Sequence, residues 1–363
     1  MNPTVVKSHN KTIGIGKGLC IILMVIGHSG CPQLLRDWLY TFHMPFFFFV
    51  SGYLFSDKSL NSFIPFVKKK MKGLWWPFLK WNVVFILLHN LFYELHFLYD
   101  YYSLQEIVRR ILCSVMMVEY EYLLNPFWFL QQLIRVNVIA WGVVKTCHYL
   151  SLSLSVSRRM LIVSANVIVA VLAVLACETD FKVPGVLSKL TIISLLCYFS
   201  GYTFRQFESV ICKVVTSRIF LLVAFVAILV GAVYNPAELL TVSAKGILPY
   251  WIVGVLGCLM VMEISRRLSL MKLGSCLDYI GSHTLSIMVW HFLVFKFLSL
   301  SLVQLNVVSY EDLLTWPVPS IAKEGWWILY SLVGVVIPLI IDSVLRKIKE
   351  VFCILFSKTL QTK

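Results

Sequence analysis

The stretch from Lys17 to Phe55, KGLCIILMVIGHSGCPQLLRDWLYTFHMPFFFFVSGYLF, limits what this chain can fold into. Two apolar segments flank a short turn over Cys31 to Asp37. They are long enough to cross a bilayer as a helical pair, yet each carries a histidine in its apolar run. Ionisable side chains inside a membrane span are costly, so they face a bundle interior or a cavity and mark function. Lys17 and His28 are eleven residues apart, close to three helical turns, which puts them on one face about 16 Å apart along the axis. A cation nearer the cytoplasm then lies beneath a deeper imidazole. His43 falls about as far after the turn as His28 falls before it, so antiparallel packing brings the two to similar depth. Pro45 is expected to free the carbonyl of Thr41 and bend the second helix, with a lined cavity satisfying the freed group.

Composition fixes the class. Of 363 residues, 59% are hydrophobic and 14% charged. The mean hydropathy is +0.82, outside the range of soluble domains. The expected fold is an all-α polytopic membrane protein, one transmembrane domain over residues 1–363 with about ten transmembrane helices and both termini cytoplasmic. The helices are expected near 13–30, 38–55, 77–98, 126–146, 160–176, 188–204, 219–234, 247–264, 277–298 and 326–344. Residues 1–12 form the cytoplasmic N-terminus and 346–363 a basic cytoplasmic tail. This alternation places 22 of the 32 lysines and arginines inside and 7 outside, as the positive-inside rule asks. The segment from Asp100 to Asn125 is partly amphipathic and is expected to lie on the outer membrane surface. A net charge of +14 then reads as cationic loops facing anionic membrane lipid and an anionic cofactor, not nucleic acid. The ten cysteines are scattered without a CxxC pair, and no structural disulfide is expected.

With these residues in view, the chain resembles the membrane-embedded acyltransferase-3 family. Its members carry a basic residue, ten intervening residues and a histidine on the first helix, then a second helix like FHMPxFFFxSGYLF. Here these are Lys17, His28 and Phe42 to Phe55. NPFWFLQQLIR, from Asn125, resembles the family's WFL-containing segment, and YIGSHTLSIMVWHFLVF, from Tyr279, resembles a later segment with His291 at the recurring position. Two departures stand out. Lys17 occupies a position where many members have arginine, and a lysine cannot make a bidentate phosphate contact. The acidic residue often found just before it is missing between His9 and Gly16.

The resemblance implies a membrane O-acyltransferase, with acetyl-CoA as donor and a surface polysaccharide or its lipid-linked precursor as acceptor. It also implies the cell membrane, in a bacterium the inner one, as location. His28 is then the candidate catalytic residue, since a neutral imidazole can take a hydroxyl proton near neutral pH. Lys17, with Lys69, Lys70 and Lys72, is expected to hold the phosphates of coenzyme A. The extended pantetheine arm spans about 17 Å, matching the Lys17 to His28 separation. His43 either orients His28 or the acceptor, or bonds backbone freed by Pro45. Trp128, Gln131, Arg135 and His291 are the candidate acceptor-binding residues, Trp128 by stacking on a sugar. Gln131 and Gln132 cannot both face one cavity. Ser51 and Gly52 suit close helix packing. His89, Glu94 and His96 do not share one face, so no metal is expected. No Ser-His-Asp pattern, Walker loop or Rossmann fingerprint occurs. The alternative from another class is a secondary transporter or flippase for a lipid-linked sugar, which inverted repeats with broken helices would favour.

Overall fold

The computed structural model describes residues 10–179, 182–183 and 187–361, with side chains for all of these except 182–183 and 352–361. The N-terminus through His9, expected to be cytoplasmic, lies outside the described residues, as do the side chains of the basic tail beyond Val351.

Asn10 accepts a hydrogen bond from the Ile13 amide and opens α1 (Lys11–His28). The expected second helix is broken into α2 (Gln33–Tyr40) and α3 (His43–Tyr53). Pro45 does not bend a continuous helix. It sits in the first turn of α3, where its missing N–H costs no intrahelical bond, and the chain breaks before it at Thr41 and Phe42. A π-helical turn over Met71–Trp75 joins α4 (Phe63–Lys70) to α5 (Trp76–Glu94). Next come α6 (Leu104–Val115), α7 (Trp128–Leu154) and α8 (Arg158–Thr179). Ser188 and Thr191 form a capping box that starts α9 (Lys189–Val215). After α10 (Arg218–Tyr234) and α11 (Ile247–Leu268), the expected ninth helix is also broken, into α12 (Lys272–Ser282) and α13 (Thr284–Gln304). The last element is α14 (Trp327–Gln361).

The protein is an all-α polytopic membrane protein. Among the described residues six helices are long and apolar enough to cross a membrane, and a seventh crossing results if α9 and α10, bent by 102° at their junction, form one span. Length and hydropathy alone do not yield ten spans: α3 has only 11 residues after its break, α5 is not among the six, and α9 and α10 count together as one.

Close backbone approach holds the core together. A methyl group at Gly18 would overlap the Leu277 carbonyl, and one at Gly281 would overlap that of Gly14, so α12 lies directly on α1. Gly52 and Gly201 do the same between α3 and α9, against the carbonyls of Tyr198 and Phe49. The packing role expected for Gly52 is therefore observed.

The segment expected on the membrane surface doubles back along α5 instead. Near the C-terminal end of α5, the Asn90 side chain donates to the Tyr102 carbonyl at 2.9 Å and accepts from the Tyr102 amide at 2.8 Å. Near the other end, the Trp75 indole donates to the Val115 carbonyl at 2.9 Å. α6 therefore runs antiparallel to α5. On the return, the Glu121 amide bonds Asn82 Oδ1 at 2.8 Å and its carboxylate meets His89 Nδ1 at 2.7 Å. Amphipathicity identified the apolar residues Ile107, Ile111 and Leu112, of which Leu112 is exposed and the two isoleucines are half-buried. It could not identify the polar groups on α5 that draw the segment in.

Candidate active site

His28 is the last residue of α1, so the helix ends on it. Gly30 follows at a φ of +85°, a conformation that glycine adopts without steric cost. It packs where an added methyl would press on Ala322 and Val318. The end of α1 is also tied to α14 by a 2.8 Å hydrogen bond from the Ser331 hydroxyl to Ser29. His28 is thereby fixed at the wall of a cavity of about 570 Å³.

The break between α2 and α3 supplies the groups around it. Tyr40, at the end of α2, places its hydroxyl 3.2 Å from His28 Nδ1. Gly27 leaves room for it, since a methyl there would overlap the Tyr40 ring. The Arg36 guanidinium lies over the other part of this assembly, 4.3 Å from the Tyr40 ring centroid, and pairs with Glu238 at 3.6 Å. The Tyr40 carbonyl accepts from Tyr250 at 3.2 Å. His43 bonds the Leu39 carbonyl through Nδ1 at 2.7 Å. A carbonyl only accepts, so Nδ1 carries the proton and Nε2 of the neutral ring holds the free electron pair. His43 therefore does bond backbone, but at the C-terminal end of α2 and not at the Thr41 carbonyl expected from Pro45. Its ring lies 4.9 Å from that of Tyr40 and lines the cavity.

A second cavity, of about 350 Å³, contains Lys17. On α1 its wall continues through Ile21 and Met24 toward His28, a single helical stripe with the expected phase. On α3 the wall runs from Leu54 and Ser51 through Phe47 to Met44. Met24, Met44 and Pro126 border both cavities, so the Lys17 chamber and the His28 chamber adjoin there. The π turn contributes Gly73 and Leu74, and the first residues of α13, Thr284 and Leu285, complete the inner chamber. Lys69, Lys70 and Lys72 precede that wall in sequence without lining it, and Lys70 lies over the Phe66 ring. The carboxylate absent from α1 comes from another helix: Asp278 on α12 acts electrostatically on Lys17.

The expected acceptor residues divide. Trp128 lines the His28 cavity, beside Tyr120 and Trp316. Gln131 donates to the Met117 carbonyl at 2.9 Å and Arg135 reaches the same oxygen at 3.5 Å, so both bind the return from α6 and neither borders either of these two cavities. Gln132 accepts from Thr191 at 2.8 Å and links α7 to α9. His291 lies behind His28, its ring centroid 5.7 Å away, fully buried and outside the cavity wall. It donates from Nδ1 to the Ile287 carbonyl at 2.9 Å, and among the described residues its Nε2 has no hydrogen-bond partner. Among the described residues no three metal-ligating side chains converge. His89 is held by Glu121 and by the Asp100 carbonyl, while His96 meets Tyr310.

The family model Acyl_transf_3, described as an acyltransferase domain, matches residues 10–344. The chain belongs to the acyltransferase-3 family. No curated protein and no solved structure matches it. The acyltransferase assignment covers the helices that build both chambers. It gives the paired cavities a chemical meaning, since an acyltransferase must bring an acyl donor and an acceptor to one point.

The sequence did not reveal Tyr40, Arg36, Glu238 or Asp278 as neighbours of the site. Tyr40 and Arg36 sit on a short helix that a hydropathy reading merges with the turn and the start of the next span. Asp278 and Glu238 reach the site only through tertiary packing.

Proposed function

We propose that this acyltransferase moves an acetyl group from cytoplasmic acetyl-CoA to a hydroxyl of a surface polysaccharide or its lipid-linked precursor. The observation that carries the reading is the junction of the two chambers at Met24, Met44 and Pro126, with Lys17 in one and His28 in the other. Lys17 holds a phosphate of the donor, and the pantetheine arm extends along the Ile21 and Met24 stripe so that the thioester arrives beside His28. The acceptor occupies the larger chamber, against Trp128.

In the tautomer where His28 Nδ1 donates to the Tyr40 oxygen, Nε2 takes the proton of the acceptor hydroxyl. The alkoxide oxygen attacks the thioester carbonyl, the new C–O bond forms as the C–S bond breaks, and the imidazolium returns its proton to the departing thiolate. His43 and Tyr40 set the position of the imidazole. We read the chain as ten crossings, short and broken helices included, with both termini in the cytoplasm of a bacterial inner membrane. Reporter fusions after Arg159 and Arg267 should then report cytoplasm, and fusions near Pro236 and Pro317 the outside.

The decisive experiment incubates purified protein in lipid nanodiscs with labelled acetyl-CoA and a chemically de-O-acetylated membrane glycan fraction. Label should reach the glycan with wild-type protein and not with His28→Ala. Transfer by neither protein, despite donor binding, would give ground to the alternative, a transporter or flippase for a lipid-linked sugar. Label retained on His28 after an acid quench would make the imidazole a transient acyl carrier in place of a base.

A further inference from the structure

Lys296 is 1% exposed, on a membrane-spanning helix, and among the described residues no carboxylate forms an ion pair with it. Its ammonium group donates instead to two backbone carbonyls of the segment that follows α13, Leu313 at 2.5 Å and Thr315 at 2.9 Å. It also lies 5.9 Å from the centroid of the Trp316 ring. A methionine would fill the same space without an ion to desolvate, so an intramembrane lysine here has to be explained by what it holds.

What it holds is one wall of the His28 chamber. Thr315, Trp316, Pro317 and Val318 all border that cavity. One turn before Lys296, Phe292 packs between this wall and the catalytic candidate, 4.4 Å from the Trp316 ring and 5.0 Å from His28. Tyr122, from the turn leading into α7, meets Trp316 from another element at 4.4 Å. We infer that Lys296 is a positioning residue for the acceptor: by clamping the Leu313 and Thr315 carbonyls it fixes Trp316, and with it the width of the chamber that takes a carbohydrate beside His28. The inference rests on the acyl-transfer reading for its chemistry and on the two carbonyl bonds for its geometry. The donor chamber shares none of these wall residues, so the clamp should act on one substrate only.

The test compares wild-type protein with Lys296→Met and Lys296→Gln in nanodiscs, using labelled acetyl-CoA and the de-O-acetylated glycan fraction. Lys296→Met should raise the acceptor KM on the order of tenfold and leave the acetyl-CoA KM within about twofold. Lys296→Gln keeps an N–H donor and should fall between. Hydrogen exchange supplies an independent readout: in Lys296→Met the peptide spanning 312–319 should exchange faster while peptides of α1 keep their wild-type rates. Unchanged acceptor KM and unchanged exchange over 312–319 would overturn the clamp. Faster exchange throughout the protein, with donor and acceptor KM both raised, would overturn it too, in favour of a general stabilising lysine. Should wild-type protein transfer no acetyl group at all, the acyl-transfer reading fails, and the exchange experiment still decides whether Lys296 holds the wall.

Discussion

The Tyr40 hydroxyl lies 3.2 Å from Nδ1 of His28, although the two residues belong to different helices separated by a turn. That contact fixes which imidazole nitrogen faces the chamber. It also makes the break between α2 and α3 part of the cavity wall, because an unbroken helix would carry Tyr40 and His43 on into one continuous span. Tyr40→Phe should lower kcat on the order of tenfold with little change in the acetyl-CoA KM, and should alter the pH profile of kcat, since Nδ1 of His28 loses its hydrogen-bond partner. His28→Ala should cost 10²-fold or more, on the order expected for a lost general base. A Tyr40→Phe enzyme with wild-type kcat and pH profile would leave the hydroxyl without a role in positioning His28.

Charge in the inner chamber is the second testable point. Lys17→Ala should raise the acetyl-CoA KM, while Lys17→Arg should retain much of the activity because arginine keeps the positive charge. Asp278 on α12 makes a further distinction possible. Asp278→Asn leaves the Lys17 charge less compensated and should tighten, not weaken, binding of an anionic donor. Donor affinity measured by calorimetry checks all three, and an alanine variant with undiminished affinity would reduce Lys17 to a residue that snorkels to the interface.

How much of this was legible in the sequence depends on the range of the interaction. The Lys17 to His28 stripe could be read from spacing because helix periodicity is local, and the structure keeps Ile21 and Met24 between them on one wall. Gly52 was legible for the same reason. The breaks at Thr41 and His283 were not, since apolar residues on both sides of each short polar interruption read as one span. Gln131, Arg135 and His291 were expected at the acceptor from the segments that carry them, and in the structure their side chains bond the Met117 and Ile287 carbonyls. Which partner a buried polar group finds is a tertiary fact.

Between α3 and α4, Asp57 accepts two hydrogen bonds from Arg158, at 3.0 and 2.8 Å, and one from Tyr202 at 3.1 Å. Burial pushes the Asp57 carboxyl up, but the Arg158 and Tyr202 contacts outweigh it and hold the group below the ordinary carboxylate range. A carboxyl with a folded-state pKa below its unfolded value near 3.9 stabilises the protein above that pH and loses the contribution as pH falls through the folded value. Asp57 is more than half exposed, so the contribution should be modest, under about 1 kcal/mol. Asp57→Asn should therefore lower the melting temperature at pH 7 by a small amount, and the gap from wild type should close below about pH 4. A gap that persists or widens in acid would point to another source of stability at this corner.

The last prediction concerns the pair that anchors the return from α6. His89 and Glu121 are both buried, 2.7 Å apart, with Tyr102 stacked on the imidazole at 3.2 Å between centroids and the His89 Nε2 bonded to the Asp100 carbonyl at 2.8 Å. Removing one partner leaves the other buried and unanswered, which costs about 3–5 kcal/mol, whereas replacing both with apolar groups of similar volume is often near neutral. His89→Ala should thus sharply lower the melting temperature in detergent, and His89→Leu combined with Glu121→Met should recover most of it. Recovery should stop short of wild type, because the Asp100 carbonyl keeps no donor. The same comparison tests function. Glu121 adjoins Tyr120, which lines the His28 chamber, so a merely architectural pair predicts that the double variant regains acetyl transfer along with stability. A double variant that is stable and binds acetyl-CoA but transfers nothing would place His89 and Glu121 in the chemistry itself.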